Sequence, residues 1–352
     1  MRPVNNRSVS GQIHSSLVQH PSAWYGRDLV NDPSWLVHLS PQDLAEIAAA
    51  VRGVTAHGLA LGEVGRGNFP LPTLGKKLGQ WLDEIRTGRG FVVVRGLNVA
   101  DYTDDEVGLI FWALGAYLGV PVTQNPRGDL LGHVYDHGRN YGDIDVRGYE
   151  TNAHLPFHSD SCDLVGLLCL RRAKSGGLSS IVSSVTLHNE ILRQHPEYLP
   201  PLYTGYHYIK REAALTDDPV TPYRLPVFGA KDGYVSARLV RNQINAACVK
   251  TGKPLEPLEQ AALDFLDSLA YDLEIHLDMD LQLGDMQLCN NLTILHSRTG
   301  FQDWPEQARR RHMIRLWLTF EERRPLADAF PPHNGYGRNQ IAEVAFQSSA
   351  AA

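Results

Sequence analysis

With 352 residues, 43% of them hydrophobic and 20% charged, the chain can bury a substantial core and is too apolar to stay disordered. A net charge of -6, from 33 basic and 39 acidic residues, excludes a basic nucleic-acid footprint, and Arg309-Arg310-Arg311 is too short a run to supply one. No apolar run reaches membrane-spanning length, the N-terminal residues lack the apolar core of a signal peptide, and Cys162, Cys169, Cys248 and Cys289 form no Cys-x-x-Cys pair, so free thiols in the cytoplasm are expected.

Residues 1–20 are polar and rich in Ser and Asn, which predicts a flexible arm, and 21–345 read as one domain. Ser40 suits an N-cap and Pro41 a first helical position. With Leu44, Ile47, Ala48 and Val51 on one stripe, a helix is expected from there to about Gly53. A second helix carries Leu74, Leu78, Trp81 and Ile85 on one face and stops at Gly88. Phe91 to Val94 is short and β-branched, the pattern of a buried strand. A third helix follows over 104–119, with Asp104, Asp105 and Glu106 in the first turn where the helix dipole favours them.

From 121 to 151 the chain is rich in Gly, Asp and Asn, with a short strand near Leu131 to His137; this loop and 210–225 are long enough to act as lids. Strands then dominate, at 166–171, 179–184, 206–210, 223–228, 233–238, 273–277, 284–289, 292–296 and 312–321. Helices interrupt them from Val185 to the loop at Pro196 and over 255–270. No linker or internal repeat divides the chain, and the pattern fits a mainly β jelly roll, mostly antiparallel, buttressed by flanking helices.

The chemistry is concentrated in His154-Leu155-Pro156-Phe157-His158-Ser159-Asp160. On an extended strand, residues two apart face the same side, so His158 and Asp160 can bind one metal ion. Three other pairs share that spacing: His188/Glu190 and His195/Glu197 lie in a helical stretch, where positions two apart diverge, and His276/Asp278 lies on a predicted strand without the proline and aromatic lead-in. A distant histidine would complete a two-His, one-carboxylate set, which suits Fe(II) and leaves positions open for co-substrate and oxygen.

His296 ends a predicted strand, and another strand starts near Arg310. If the two pair as neighbours, Arg311 projects into the cavity that His296 faces. A dicarboxylate chelating iron at one end needs a bidentate guanidinium at the other, and Ser179 and Ser180, beside the Gly176-Gly177 turn, offer hydroxyls to the same carboxylate.

The segments Phe157-His158-Ser159-Asp160, Gly176-Gly177-Leu178-Ser179 and His296 followed by Arg310-Arg311 and Arg315 resemble the taurine dioxygenase family of Fe(II)- and 2-oxoglutarate-dependent oxygenases, which includes clavaminate synthase-like enzymes. The similarity is strongest from about 150 to 320. It implies a double-stranded β-helix, with His158, Asp160 and His296 as iron ligands and Arg311 with Ser179 or Ser180 as the anchor for 2-oxoglutarate. It also implies that Arg315 faces an anionic substrate, while His154 stands where taurine dioxygenase has an asparagine. The reaction implied uses O2 and couples decarboxylation of 2-oxoglutarate to succinate with oxidation of a small molecule, hydroxylation by default and desaturation or cyclisation as variants.

Tyr135, Asn152 and the remaining histidines suit a substrate pocket or core hydrogen bonds. Arginines and histidines favour a polar substrate, whereas Trp24, Tyr25 and Trp304 would suit an apolar one. Two rival functions fit less well. A zinc hydrolase could use His133/His137 or His154/His158, but Pro156 and the Gly132/Gly138 bracket argue against the helix that His-x3-His chelation needs. A non-catalytic jelly-roll module would have no use for 2-oxoglutarate. The sequence leaves a homo-oligomer open and favours neither nucleic acid nor membrane as a partner.

Overall fold

The computed structural model describes residues 12–125, 127–139, 148–210 and 219–330. The first elements are α1 (Gly26–Val30), β1 (Leu36–His38), α2 (Pro41–His57), α3 (Leu74–Thr87), β2 (Phe91–Arg95) and α4 (Asp104–Gly115). Strands β3 (Val120–Pro121), β4 (Leu131–Val134), β5 (Leu155–His158), β6 (Leu164–Arg171), β7 (Ser175–Gly176) and β8 (Ser179–Ser183) follow. Helices α5 (Ser184–Gln194) and α6 (Leu199–Thr204), the hairpin β9 (Phe228–Lys231) and β10 (Tyr234–Ala237), α7 (Arg241–Thr251) and α8 (Pro257–Ala270) come next. The last strands are β11 (Leu277–Met279), β12 (Met286–Asn290), β13 (Ile294–Arg298), β14 (Phe301–Gln302) and β15 (His312–Thr319).

A major sheet has the order β1-β2-β12-β6-β15-β3, with β4 also paired to β15, and a minor sheet the order β11-β8-β13-β5. Every pairing is antiparallel except β1 with β2. Strand alternation explains how the layers bond. Phe91, Val93, Val165 and Trp317 of the major sheet meet Ile181 and Ile294 of the minor sheet in the space between them. The other face of the major sheet, with Val92, Val94 and Leu316, packs under α2, α3 and α4. The other face of the minor sheet, with Phe157, Val182 and Leu295, packs under α5, α6 and α8. The architecture is the double-stranded β-helix with flanking helices that the sequence leads one to expect.

Several expectations shift for physical reasons. Helix α2 passes Gly53, which nothing crowds, and ends four residues later at His57, capped by Gly58, whose φ of +62° is the left-handed conformation that glycine adopts at least cost. The strand expected at 273–277 is a turn, because Asp272 accepts a side-chain hydrogen bond from Glu274 N and its carbonyl accepts from Ile275 N and His276 N. Helix α7 gives little periodic signal because only Ile244 and Ala247 are buried on it. The strands expected at 206–210 and 223–228 are reduced largely to the isolated bridges Tyr206 to Leu225 and Ile209 to Val220. Within the expected arm, Val18 exchanges two hydrogen bonds with the Asn189 side chain, which binds this segment to α5 as a strand partner would. Residues 1–11 of that arm, 140–147 and 211–218 of the two long loops, and 331–345 of the expected domain lie outside the described residues.

Phe91 is fully buried and its ring lies 5.4 Å from that of Trp24. Phe91→Ala is expected to cost about 3–5 kcal/mol through the cavity it leaves, read as a lowered urea midpoint of unfolding.

Candidate metal centre

Antiparallel pairing of β5 with β13 sets His158 directly opposite His296. Asp160 follows two residues after β5 ends, and one ligand atom from each of the three residues lies within 4.8 Å of the others. The two imidazole rings are 4.3 Å apart between centroids, and His296 Nε2 is 3.8 Å from Asp160 Oδ2. His158 Nδ1 is 2.8 Å from the carbonyl of Pro156. A carbonyl only accepts, so Nδ1 carries a proton and Nε2 is the ring nitrogen turned towards the other two ligands. Burial, reinforced by the charge of His158, lowers the His296 pKa to about 3, so that ring is neutral near pH 7.

The carboxylate is held from the opposite sheet. Trp317 Nε1 donates to Asp160 Oδ2 at 2.9 Å, and Arg315 Nη1 lies 3.5 Å from the same oxygen. Asp160 N donates to Asn291 Oδ1 at 3.3 Å. Sequence reasoning missed Trp317 and Asn291. Trp317 had a signal, since it shares a strand face with Arg315, but Asn291 had none. Two imidazoles and one oriented carboxylate converging on one space fit Fe(II).

Arg311 is buried on the inter-sheet face, and burial lowers its pKa. Its Nη1 is buried and has no hydrogen-bond partner among the described residues. Asp303 Oδ1 accepts from the Arg311 backbone N–H at 2.7 Å and fixes the strand entry. Gly177, at φ +73°, passes so close that a Cβ there would stand 3.1 Å from Arg311 Nε. The expected pairing of the strands carrying His296 and Arg311 is not observed: β13 belongs to the minor sheet and β15 to the major one. Arg311 therefore reaches the common space across the sandwich.

On β8, Ser179 shares the face of Ile181, which is the residue opposite His296. Its hydroxyl donates to Gln287 Oε1 of the major sheet. Ser180 points the other way, and its hydroxyl donates to Asp278.

A cavity of about 750 Å³ is lined by Gln124, Arg127, Asp129, His133, Tyr135 and Arg315, among others. Arg315 and Tyr135 thus reach one concavity. His154 and Asn152 are exposed, and His154 leans on the ring of Tyr271 at 5.6 Å. The competing histidine pairs are occupied otherwise. His188 Nε2 meets Tyr203 Oη at 3.0 Å, Asp278 takes the Ser180 hydroxyl, and neither His-x3-His pair lies on a helix. His133 instead meets His312 at 2.8 Å, and His312 meets Arg171 at 2.7 Å.

Two facing, mostly antiparallel sheets with a two-His, one-carboxylate group between them define a jelly-roll non-haem iron oxygenase. Residues 51–317 match the model of the taurine catabolism dioxygenase TauD, TfdA family. The chain is 31% identical over 316 residues to FR-33289 synthase of Streptomyces rubellomurinus, covering 89% of this chain and 93% of that protein. It is 28% identical over 319 residues to the taurine hydroxylase-like protein SAT17 of Stachybotrys chartarum, covering 88% and 81%. Among solved structures, asparagine oxygenase in complex with Fe(II), 2S,3S-3-hydroxyasparagine and succinate superposes with a TM-score of 0.64 at 16% identity, over 81% of this chain and 93% of that one. The non-haem iron oxygenase OrfP in complex with Fe and alpha-ketoglutaric acid superposes at 0.60 and 16%, over 81% and 94%.

The chain belongs to the taurine catabolism dioxygenase TauD, TfdA family. It is an Fe(II)- and 2-oxoglutarate-dependent oxygenase. Among the described residues no helix is long and apolar enough to cross a membrane.

Trp317→Phe keeps the ring and removes the donor to Asp160, and is expected to weaken Fe(II) binding about 10- to 100-fold in an anaerobic titration. A second expectation concerns acid. Burial, then the charge of His14, lowers the His188 pKa to about 4, and burial, then His133 and Arg171, lowers that of His312 to about 4. The unfolded chain takes up protons at these histidines near pH 6.5, which the folded chain refuses until about pH 4. Stability is therefore full above about pH 6.5 and falls as the pH drops towards 4, read as a decreasing thermal midpoint of the metal-free protein between about pH 7 and 5.

Proposed function

We propose that His158, Asp160 and His296 hold Fe(II), that Arg311 and Ser179 hold the distal carboxylate of 2-oxoglutarate, and that the enzyme hydroxylates a small polar substrate. The convergence of three ligand atoms within 4.8 Å of one another, two of them on buried residues, carries this assignment. When bound, iron and 2-oxoglutarate supply the oxidising chemistry, in which O2 converts the keto acid to succinate and carbon dioxide and gives its second oxygen atom to a substrate carbon.

The protein's own part is orientation and exclusion of water. The Pro156 carbonyl turns Nε2 of His158 to the metal side, and Trp317 fixes the carboxylate of Asp160. Val134, Cys169 and Met313 form an apolar cluster on the strands around Arg311, and Cys169 senses its charge directly. In so dry a setting a guanidinium attracts a carboxylate more strongly than it would in water. The face of Ser179 favours it over Ser180 as the hydroxyl partner.

The polar lining of the cavity beside Arg315 supports a polar substrate, with Tyr135 and Arg315 as contacts. The neighbours solved with 3-hydroxyasparagine and with (3S)-hydroxy-L-Arg support hydroxylation as the outcome. His154 and Asn152 would contribute from the exposed rim. The four free cysteines, three of them buried, support a reducing cytoplasmic setting.

Mixed anaerobically with Fe(II) and 2-oxoglutarate, the protein is expected to give the weak visible metal-to-ligand charge-transfer band of the chelate. His158→Ala and Arg311→Ala should abolish it at matched concentrations. Ser179→Ala should raise the dissociation constant for 2-oxoglutarate about tenfold, while Ser180→Ala leaves it unchanged. Stoichiometric zinc binding with no band in the wild type would refute the assignment.

A further inference from the structure

Arg315 lines the cavity, yet its guanidinium is directed at the metal-ligand carboxylate. Nη1 lies 3.5 Å from Asp160 Oδ2, and the guanidinium carbon sits 4.6 Å from the ring centroid of Trp317, whose indole N–H donates to the same oxygen. Gln124 fixes this direction. Arg315 Nε donates to Gln124 Oε1 at 2.8 Å, while Gln124 Nε2 donates to the carbonyl of Arg315 at 2.8 Å and that of Leu130 at 2.9 Å. Both carbonyls can only accept, so the amide has one allowed orientation: nitrogen towards the backbone, oxygen towards the guanidinium.

Gln124 is 1% exposed and stands on the segment between β3 and β4. Other residues of that segment, Asn125, Arg127, Asp129 and Leu130, line the cavity. On β4, Gly132 is the residue paired with Arg315, and a methyl group there would collide with Gln124 Oε1. The glycine is needed for the close approach of a side chain and not for its backbone angle. Cavity loop, glutamine, arginine and metal-ligand carboxylate thus form one continuous hydrogen-bonded and charged series.

We propose that Gln124 is a positioning residue that acts through Arg315 on Asp160, so that the cavity wall and the metal ligand move as one unit. This rests on the assignment of Asp160 to iron, and goes beyond it by giving Arg315 a duty to the ligand in addition to any contact with substrate. A carboxylate ligand that loses a donor changes its orientation and basicity, and the metal feels both. A substrate seated against the 124–130 segment would favour the arrangement in which Arg315 faces Asp160. By reciprocity, bound metal would favour the cavity shape that accepts that substrate.

The test measures Fe(II) dissociation constants anaerobically on the full-length protein, together with the position of the Fe(II)–2-oxoglutarate charge-transfer band. The variants are Gln124→Leu, Arg315→Lys, their double variant, and Gly132→Ala. Each single substitution at 124 or 315 is expected to weaken Fe(II) about tenfold and to shift the band. The double variant should bind no more weakly than the weaker single, because without the guanidinium Gln124 has no route to Asp160. Gly132→Ala, which displaces Oε1 without deleting any hydrogen-bonding group, should weaken Fe(II) in the same direction and guards against a misfolded Gln124→Leu.

Losses that multiply in the double variant would overturn the proposal. So would lowered thermal midpoints in Gln124→Leu and Gly132→Ala with wild-type Fe(II) affinity and an unmoved band, the mark of a merely structural role. A wild-type protein that binds no Fe(II) would instead remove the iron assignment itself, an outcome the wild-type titration reads separately.

Discussion

The carboxylate of Asp160 joins the two sheets chemically. The residue lies just beyond β5 of the minor sheet, but the groups that hold its Oδ2, Trp317 and Arg315, come from β15 of the major sheet. His158 and His296 are brought together by strand pairing alone, since they are register partners. The third ligand needs the sandwich to be closed. The metal centre therefore exists only when both sheets are packed, and the inter-sheet core that includes Ile181, Ile294 and Trp317 is at once the stability of the fold and the geometry of the site.

Buried charge distinguishes structural groups from functional ones here. Asp285 is fully buried, and it accepts from Arg95 Nε at 2.9 Å and Arg95 Nη2 at 2.6 Å, so its charge is matched within the fold. Arg311 is buried too, but its Nη1 has no hydrogen-bond partner among the described residues. An unmatched buried cation opposes folding, because removing it from water is costly without a hydrogen-bonded counter-charge. Under the proposed assignment a dicarboxylate co-substrate would supply that counter-charge, so part of its binding energy would relieve a cost already present in the fold. His296 Nδ1 is also buried without a hydrogen-bond partner among the described residues.

The elements that position the site were legible where one signal dominated. Short, strand-like apolar runs made β6, β12 and β15 readable, and Ser40 with Pro41 marked the start of α2. The metal set was legible because His158 and Asp160 are close in sequence and on extended chain, which left one distant histidine to find. What escaped was held by partners far away in sequence. Gln124 lies in a polar loop with no periodicity, and its meaning comes from Arg315, 191 positions later. Asn291 reaches Asp160 across 131 positions. Local pattern carries no trace of such pairings. The turn at Asp272 and the pinned segment at Val18 were missed for a related reason, since in both a side chain satisfies backbone groups that a strand or an arm would have left to other partners.

The strand carrying Arg311 was expected beside that of His296 and stands across from it, yet either arrangement delivers the guanidinium to the same space. The reason is parity. In a jelly roll, successive strands can cross between sheets, but each keeps one face inward; on β15 residues 313, 315 and 317 share theirs, and Arg311 immediately precedes the strand. A residue's role at such a site depends first on which face it occupies and only then on which strand it neighbours. The same rule separates Ser179 from Ser180, adjacent in sequence and alike in chemistry. It places one against Gln287 inside the sandwich and the other against Asp278 beyond it. One position of slip in β8 would exchange the two hydroxyls, and it would also move Ile181 out of the core between the sheets, so the packing of an isoleucine is what keeps Ser179 facing the inter-sheet space.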